Sequence, residues 1–159
     1  MKHLLLSLFL LFCLVFTSTV TFGQDATKTN RDGFRDARLG AKLTIFKGMR
    51  LTSTPADRQQ SYERASDDLH MGKGMLKSII YFFEKGVLVD IHLKAAAGAN
   101  GQAILEEITS VQGAPTQQAT VFMGQPVRYW RTPAMLLTFV EGPQIRVSYA
   151  LFSSLPKRN

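Results

Sequence analysis

The stretch "KSIIYFFEKGVLVDIHLK", residues 77–94, sets two runs of β-branched and aromatic residues on either side of Lys85-Gly86, and no other segment constrains the fold as tightly. Glycine accepts the positive φ of a two-residue reversal, so the run reads as a β-hairpin. Continuous register from that turn pairs Glu84 with Val87, Phe82 with Val89 and Ile80 with Ile91, which puts five apolar side chains on one face. That face is the expected core, since a slip by one residue would scatter the set. The opposite face pairs Phe83 with Leu88, Tyr81 with Asp90 and Ile79 with His92, and it is mixed. Tyr81, Asp90 and His92 on it form the candidate contact face.

A hairpin is marginal alone and needs cover. In "ANGQAILEEITSVQGAP" the residues Ile104, Leu105, Ile108 and Val111 recur at helical spacing, Asn100 is a cap, and Gly113 with Pro115 ends the element. This predicts the main helix over 103–112, and a core centred on Ile80, Phe82, Val89, Ile91, Ile104, Leu105 and Ile108. Leu39, Leu43 and Phe46 ahead of Gly48 predict a short helix over 39–46. "TSTPADRQQ" reads as a loop and "SYERAS" as an edge strand; "TVFM", "VRYWR", "MLLTFV" and "IRVSYALF" follow the helix as strands separated by turns. The expected fold is α+β: an antiparallel sheet of about six or seven strands with one main and one short helix on one face. "IIYFFEKGVLVDIHL" and "LLTFVEGPQIRVSYAL" suggest two helix-plus-hairpin half-repeats.

Residues 1–23, "MKHLLLSLFLLFCLVFTSTVTFG", have a basic start, an apolar run from Leu4 to Phe16 and small or hydroxyl residues behind it. That is the pattern of a signal peptide, and its apolar run is too short to span a bilayer. The chain is therefore expected to be exported, to the periplasm or beyond, with no transmembrane segment once the signal is removed. Cys13 sits inside the apolar run behind Phe12, not behind a small residue at its end, which argues against lipid attachment; the remainder has no cysteine and depends on its core instead of on disulfides. Roughly 136 residues remain, enough to bury about two thirds of their unfolded surface. They read as a polar leader over 24–33, a single domain over 34–152 and a frayed tail over 153–159.

Nineteen Lys and Arg stand against twelve Asp and Glu, a formal net charge of +7 that drops by one with Lys2. The excess is local: Arg31, Arg35, Arg38, Lys42, Lys47 and Arg50 are opposed between residues 31 and 50 only by Asp32 and Asp36. The group reads either as a solvated face or as a patch for an anionic envelope component.

Chemistry-bearing clusters are few. "ASDDLHMGKG" brings Asp67, Asp68 and His70 together, but two adjacent aspartates diverge in an extended chain, so the stretch reads as a turn with an aspartate bonded to nearby backbone. Asp90 and His92 could serve acid-base chemistry, although no nucleophile accompanies them in sequence. Aromatics and arginines alternate around Tyr129-Trp130 as in a base-stacking sheet, but also as in ordinary strands, and export removes the chain from most nucleic acid. No phosphate loop, nucleophile elbow or zinc-binding helix pattern is present, and the expectation is no catalytic set, no cofactor and no metal.

The run "SYERASDDLHMGKGMLKSIIYFFEKGVLVDIHL", followed by "ILEEITSVQGAPT" and the Tyr129-Trp130 strand, resembles small secreted proteins of Gram-negative bacteria over residues 34–151. That resemblance implies no activity. The order helix, Gly-x-Pro, strand and hairpin is more distantly similar to the small lipoprotein of the outer-membrane assembly machine and to β-lactamase inhibitory proteins, both binding modules. The chain departs from the former in lacking a lipidated cysteine. The functional expectation is thus a non-enzymatic exported binding module whose partner is a protein or an anionic envelope component; the alternative is a small envelope enzyme using Asp90 and His92.

Overall fold

The computed structural model describes residues 32–53, 59–122 and 124–154. The segments expected to be a signal peptide and, for the most part, the leader, together with Arg31 and the last five residues of the expected tail, lie outside the described residues. Eleven strands and one α-helix are present among those described. β1 (Gly33–Phe34) and β2 (Ala37–Arg38) form a separate small hairpin. The main sheet is built from β3 (Met49–Ser53), β4 (Gln59–Arg64), β6 (Gly74–Glu84), β7 (Val87–Ala96), β8 (Gln117–Phe122), β9 (Gln125–Arg131), β10 (Met135–Val140) and β11 (Gln144–Leu151). Their spatial order is β3-β4-β6-β7-β11-β10-β9-β8, antiparallel throughout, with β5 (His70–Met71) paired to the start of β6.

That order is two four-stranded meanders, β3-β4-β6-β7 and β8-β9-β10-β11, joined through their last strands. The similar hairpins noticed in the sequence are the inner two strands of each. The helical parts of the halves do not correspond: α1 (Ala99–Gln112) lies between the meanders, whereas residues 43–45 make only a single 3₁₀ turn. The helix expected over 39–46 fails because its backbone is used elsewhere. Gly40 N–H bonds Leu88 O at 2.8 Å, Leu88 N–H bonds Ala41 O at 2.9 Å and Leu43 N–H bonds Gly86 O at 2.8 Å. The segment serves as a partial edge to β7. β4 in turn is an inner strand and not an edge, since β3 pairs outside it.

The hairpin turn is at Lys85-Gly86, both with positive φ (50° and 74°), as a tight reversal requires. Beyond Phe83–Leu88 the register departs from the continuous pairing. Val89, buried as expected, is left without a partner on β6 in a bulge, so that Phe82 faces Asp90, Tyr81 faces Ile91 and Ile79 faces Leu93. A second irregularity at Lys77 restores Leu76 to the same side as Ile79. These bulges reverse the expected faces of β6: Tyr81 and Phe83 are fully buried, whereas Ile80 and Phe82 are half-exposed on the far side. Continuous register would have turned Ser78 and Glu84 inward. Two one-residue bulges instead exchange them for Ile79, Tyr81 and Phe83 while Ile91, Leu93 and Ala95 of β7 stay in the core.

Ile104 and Ile108 of α1 pack on this face, with Leu105 only partly covered. The helix starts earlier than its apolar stripe suggested. Asn100 is not its cap; its side chain bonds Met75 N–H and O and Ala96 O, tying the first turn to β6 and β7. The helix ends as expected at Gly113 (φ 81°), whose carbonyl accepts the indole N–H of buried Trp130 at 2.8 Å.

Close approach of α1 to β6 depends on Gly74. A Cβ there would stand 2.6 Å from Ile104 Cγ1 and 3.2 Å from Asn100 O. Gly74→Ala is therefore expected to destabilise by about 1–3 kcal/mol, the range of overpacking. Urea denaturation should show a lower midpoint with an unchanged slope; an unchanged midpoint would mean that the helix does not seat where described.

Candidate functional site

The face of the sheet opposite α1 is assembled by cross-strand register. One row runs Ile80, His92, Ser148, Thr138, Tyr129 across β6, β7, β11, β10 and β9; its neighbour runs Phe82, Asp90, Ala150, Leu136, Arg131. Directly opposed residues share a face, so these ten side chains form one surface. No helix covers it among the described residues.

At its centre Ser148 Oγ donates to Asp90 Oδ1 at 2.9 Å, and His92 Nε2 lies 2.9 Å from Asp90 Oδ2. The carboxylate only accepts, so Nε2 carries the proton and donates. The imidazole leans on Phe82, ring centroids 4.5 Å apart, and its side chain is 42 % exposed. Asp90 stands between the imidazole and the hydroxyl. A nucleophile-base pair needs the imidazole in that middle position, so the arrangement holds His92 and Ser148 in place and does not activate the hydroxyl. A shallow hollow of about 190 Å³ opens beside it among His92, Lys94, Ser148, Thr138, Val140 and Arg146.

Asp90 and His92 are thus adjacent, as their spacing implied, but Tyr81 is not with them. The bulge at Val89 turns it to the helix side, where it is 0 % exposed. Ser148 takes the third place, and nothing in the sequence marks it, because its neighbours are set by the β7–β11 register across 58 residues. Tyr81 belongs to a different cluster. Arg64 donates to both carboxylate oxygens of Asp36 (2.7 and 2.8 Å) and from Nε to Asp67 at 2.7 Å, and Tyr81 O–H donates to the other Asp67 oxygen at 2.8 Å. The Arg64 hydrogen bonds hold the Asp36 carboxyl below the usual range. Burial first, then the Asp67 carboxylate, pushes the Tyr81 phenol up.

The turn reading of "ASDDLHMGKG" agrees with the structure in that Asp68 accepts both the backbone N–H of His70 (2.9 Å) and its Nδ1 (2.8 Å). Asp67 instead points inward to Arg64. Among the described residues no three His, Cys, Asp or Glu side chains are grouped to hold a metal ion, and no helix is long and apolar enough to cross a membrane. Of the basic group, Arg38, Lys42, Lys47 and Arg50 are exposed. Arg50 pairs with Glu63 at 3.2 Å, while Arg35 turns inward to the carbonyls of Asp68 and His70.

On the helix side, the β1–β2 hairpin, β5 and the last turns of α1 surround a cleft of about 610 Å³ with Tyr149 of β11 on its wall. These elements come from both ends and the middle of the chain, and no motif links them. Comparison with protein-family models, curated proteins and solved structures finds no match to this chain.

Proposed function

We propose that the protein is a non-enzymatic exported binding module and that the sheet face opposite α1 is its contact surface. The observation that carries this reading is the row of half-exposed aromatic and polar side chains across five strands, with the acid-base pair at its centre locked by Ser148 in an order that leaves no nucleophile-base pair. Rigid aromatic residues on a sheet are effective contact anchors, and Phe82 and Tyr129 occupy that role. Exposed Lys94, Arg131 and Arg146 lie on the same face, which suits an acidic protein surface.

Capture from an envelope extract with the purified chain tests it. A partner retained by the wild type is expected to fall by about tenfold or more with Tyr129→Ala or Phe82→Ala, the scale of an aromatic anchor, and to dissociate more readily in salt with Arg146→Glu. Capture that ignores all three substitutions, beside a turnover lost with His92→Ala, would replace this reading with that of an enzyme using Asp90 and His92.

A further inference from the structure

We propose that the helix-side cleft binds a small organic amine with an apolar body, a site separate from the sheet face and independent of its role. The cleft is of ligand size, and its walls include the buried side chains of Phe34, Met71 and Ile108. Tyr149 is 3 % exposed, its ring 5.6 Å from that of Phe34. Its hydroxyl has no hydrogen-bond partner among the described residues, nor does the Glu107 carboxylate, which also lines the cleft. No side-chain oxygen among the described residues is both sealed from solvent and unpaired, so the Tyr149 hydroxyl keeps its contact with the cleft.

The charge of the lining selects the ligand. Arg35 and three carboxylates, of Asp36, Asp68 and Glu107, line the cleft on a chain of net charge +7. Asp36 is ion-paired with Arg64 and Asp68 is hydrogen-bonded to His70, whereas Glu107 has no ion pair among the described residues. Arg35 is committed to two backbone carbonyls. An anionic ligand would therefore meet a cation already bonded and a free carboxylate in opposition. An ammonium group meets the reverse: Glu107 supplies the counter-charge, the neutral Tyr149 hydroxyl supplies an acceptor, and the apolar walls take the body. Gly72 makes room for this, because a Cβ at that position would stand 2.7 Å from Glu107 Oε2.

Titration of the full chain with phenethylamine, followed by NMR, tests the proposal against two compounds of the same skeleton, 2-phenylethanol and phenylacetate. The expected result is saturable binding of the amine, with shifts at Tyr149 and Ile108, and at least tenfold weaker binding of the alcohol and the carboxylate. Glu107→Gln should weaken amine binding by about tenfold or more, as loss of a charge-assisted hydrogen bond does. Tyr149→Phe should weaken it by about two- to tenfold with no loss of thermal stability, because the hydroxyl has no hydrogen-bond partner among the described residues. Glu106→Gln, whose carboxylate instead accepts from Gln102, should leave binding unchanged. Phenylacetate binding as tightly as the amine, amine affinity unaltered by Glu107→Gln, or no saturable binding of the amine at millimolar concentration would each overturn it.

Discussion

Phe83→Ala is expected to cost about 3–5 kcal/mol of stability, the range for emptying a buried aromatic site, whereas Phe82→Ala one residue away should cost only about 1–2 kcal/mol, in line with its partial burial. Phe83 is 0 % exposed and meets the rings of Phe46 and Tyr62 edge-on, with centroids 5.5 and 5.3 Å apart. Those contacts join β6 to the segment before β3 and to β4, so the void cannot close by movement of one neighbour. Among the described residues Phe82 has His92 as its ring partner, and it is half-exposed. The contrast is a direct test of the bulge at Val89, because continuous register reverses the two values. Equilibrium urea denaturation of both variants decides it: a larger loss for Phe82→Ala than for Phe83→Ala would show that β6 presents its other face to α1.

The second large effect is expected at Arg64. Its side chain is 12 % exposed and that of Asp67 is 6 % exposed, so Arg64→Met leaves a buried carboxylate with Tyr81 as its remaining bonded partner. Removing one member of a buried ion pair destabilises by about 3–5 kcal/mol. The same substitution should alter the acid response. The Asp36 carboxyl is lowered by its Arg64 hydrogen bonds, so its contribution is fully present above its unfolded value of 3.8 and is lost as pH falls through the lower folded value. Asp36 is mostly exposed, which screens the effect and keeps it small. Thermal melts between pH 7 and pH 2 should show part of the acid loss of the wild type missing in Arg64→Met; identical slopes would mean that the Asp36 pairing carries no linkage. A double variant, Arg64→Met with Asp67→Leu, should recover part of the stability, since it removes the uncompensated charge.

What sequence reasoning recovered is local in origin. The Lys85-Gly86 reversal and the Gly113 stop depend on backbone freedom at single positions, and the strands after α1 depend on short apolar runs between turn residues; all are present, although β8 starts at Gln117, ahead of its apolar run, and Gln125 and Pro126, expected in a turn, open β9. The adjacency of Asp90 and His92 is also local, because residues two apart on a strand share a face. The α+β character and the one-sided helix follow from the same patterns.

The faces of β6 were not legible, and the reason lies in the competition between two nearly equal apolar sets. Ile80 and Phe82 alternate with Ile79, Tyr81 and Phe83, so either face can be core. Pattern alone chooses the continuous register, whereas the folded chain recovers the larger set by bulging Val89 and Lys77, with the 40–43 segment bonding the backbone groups of Leu88 just before the bulge. Those partners, Gly40 and Ala41, lie far upstream and have no local signature. The same holds for residues 39–46, whose helical spacing is overridden by pairing to β7, and for both candidate sites. Ser148 reaches Asp90 only because the two meanders meet at their last strands, and Tyr149, Arg35 and Glu107 share a cleft only because α1 and the β1–β2 hairpin lie on the same side of β11. The sequence by itself determined the turns, the helix stop and the strand-forming runs, since these rest on the conformational preferences of neighbouring residues. Tertiary structure decided which face was buried and which groups met, since those depend on the free energy of burying distant apolar surfaces together.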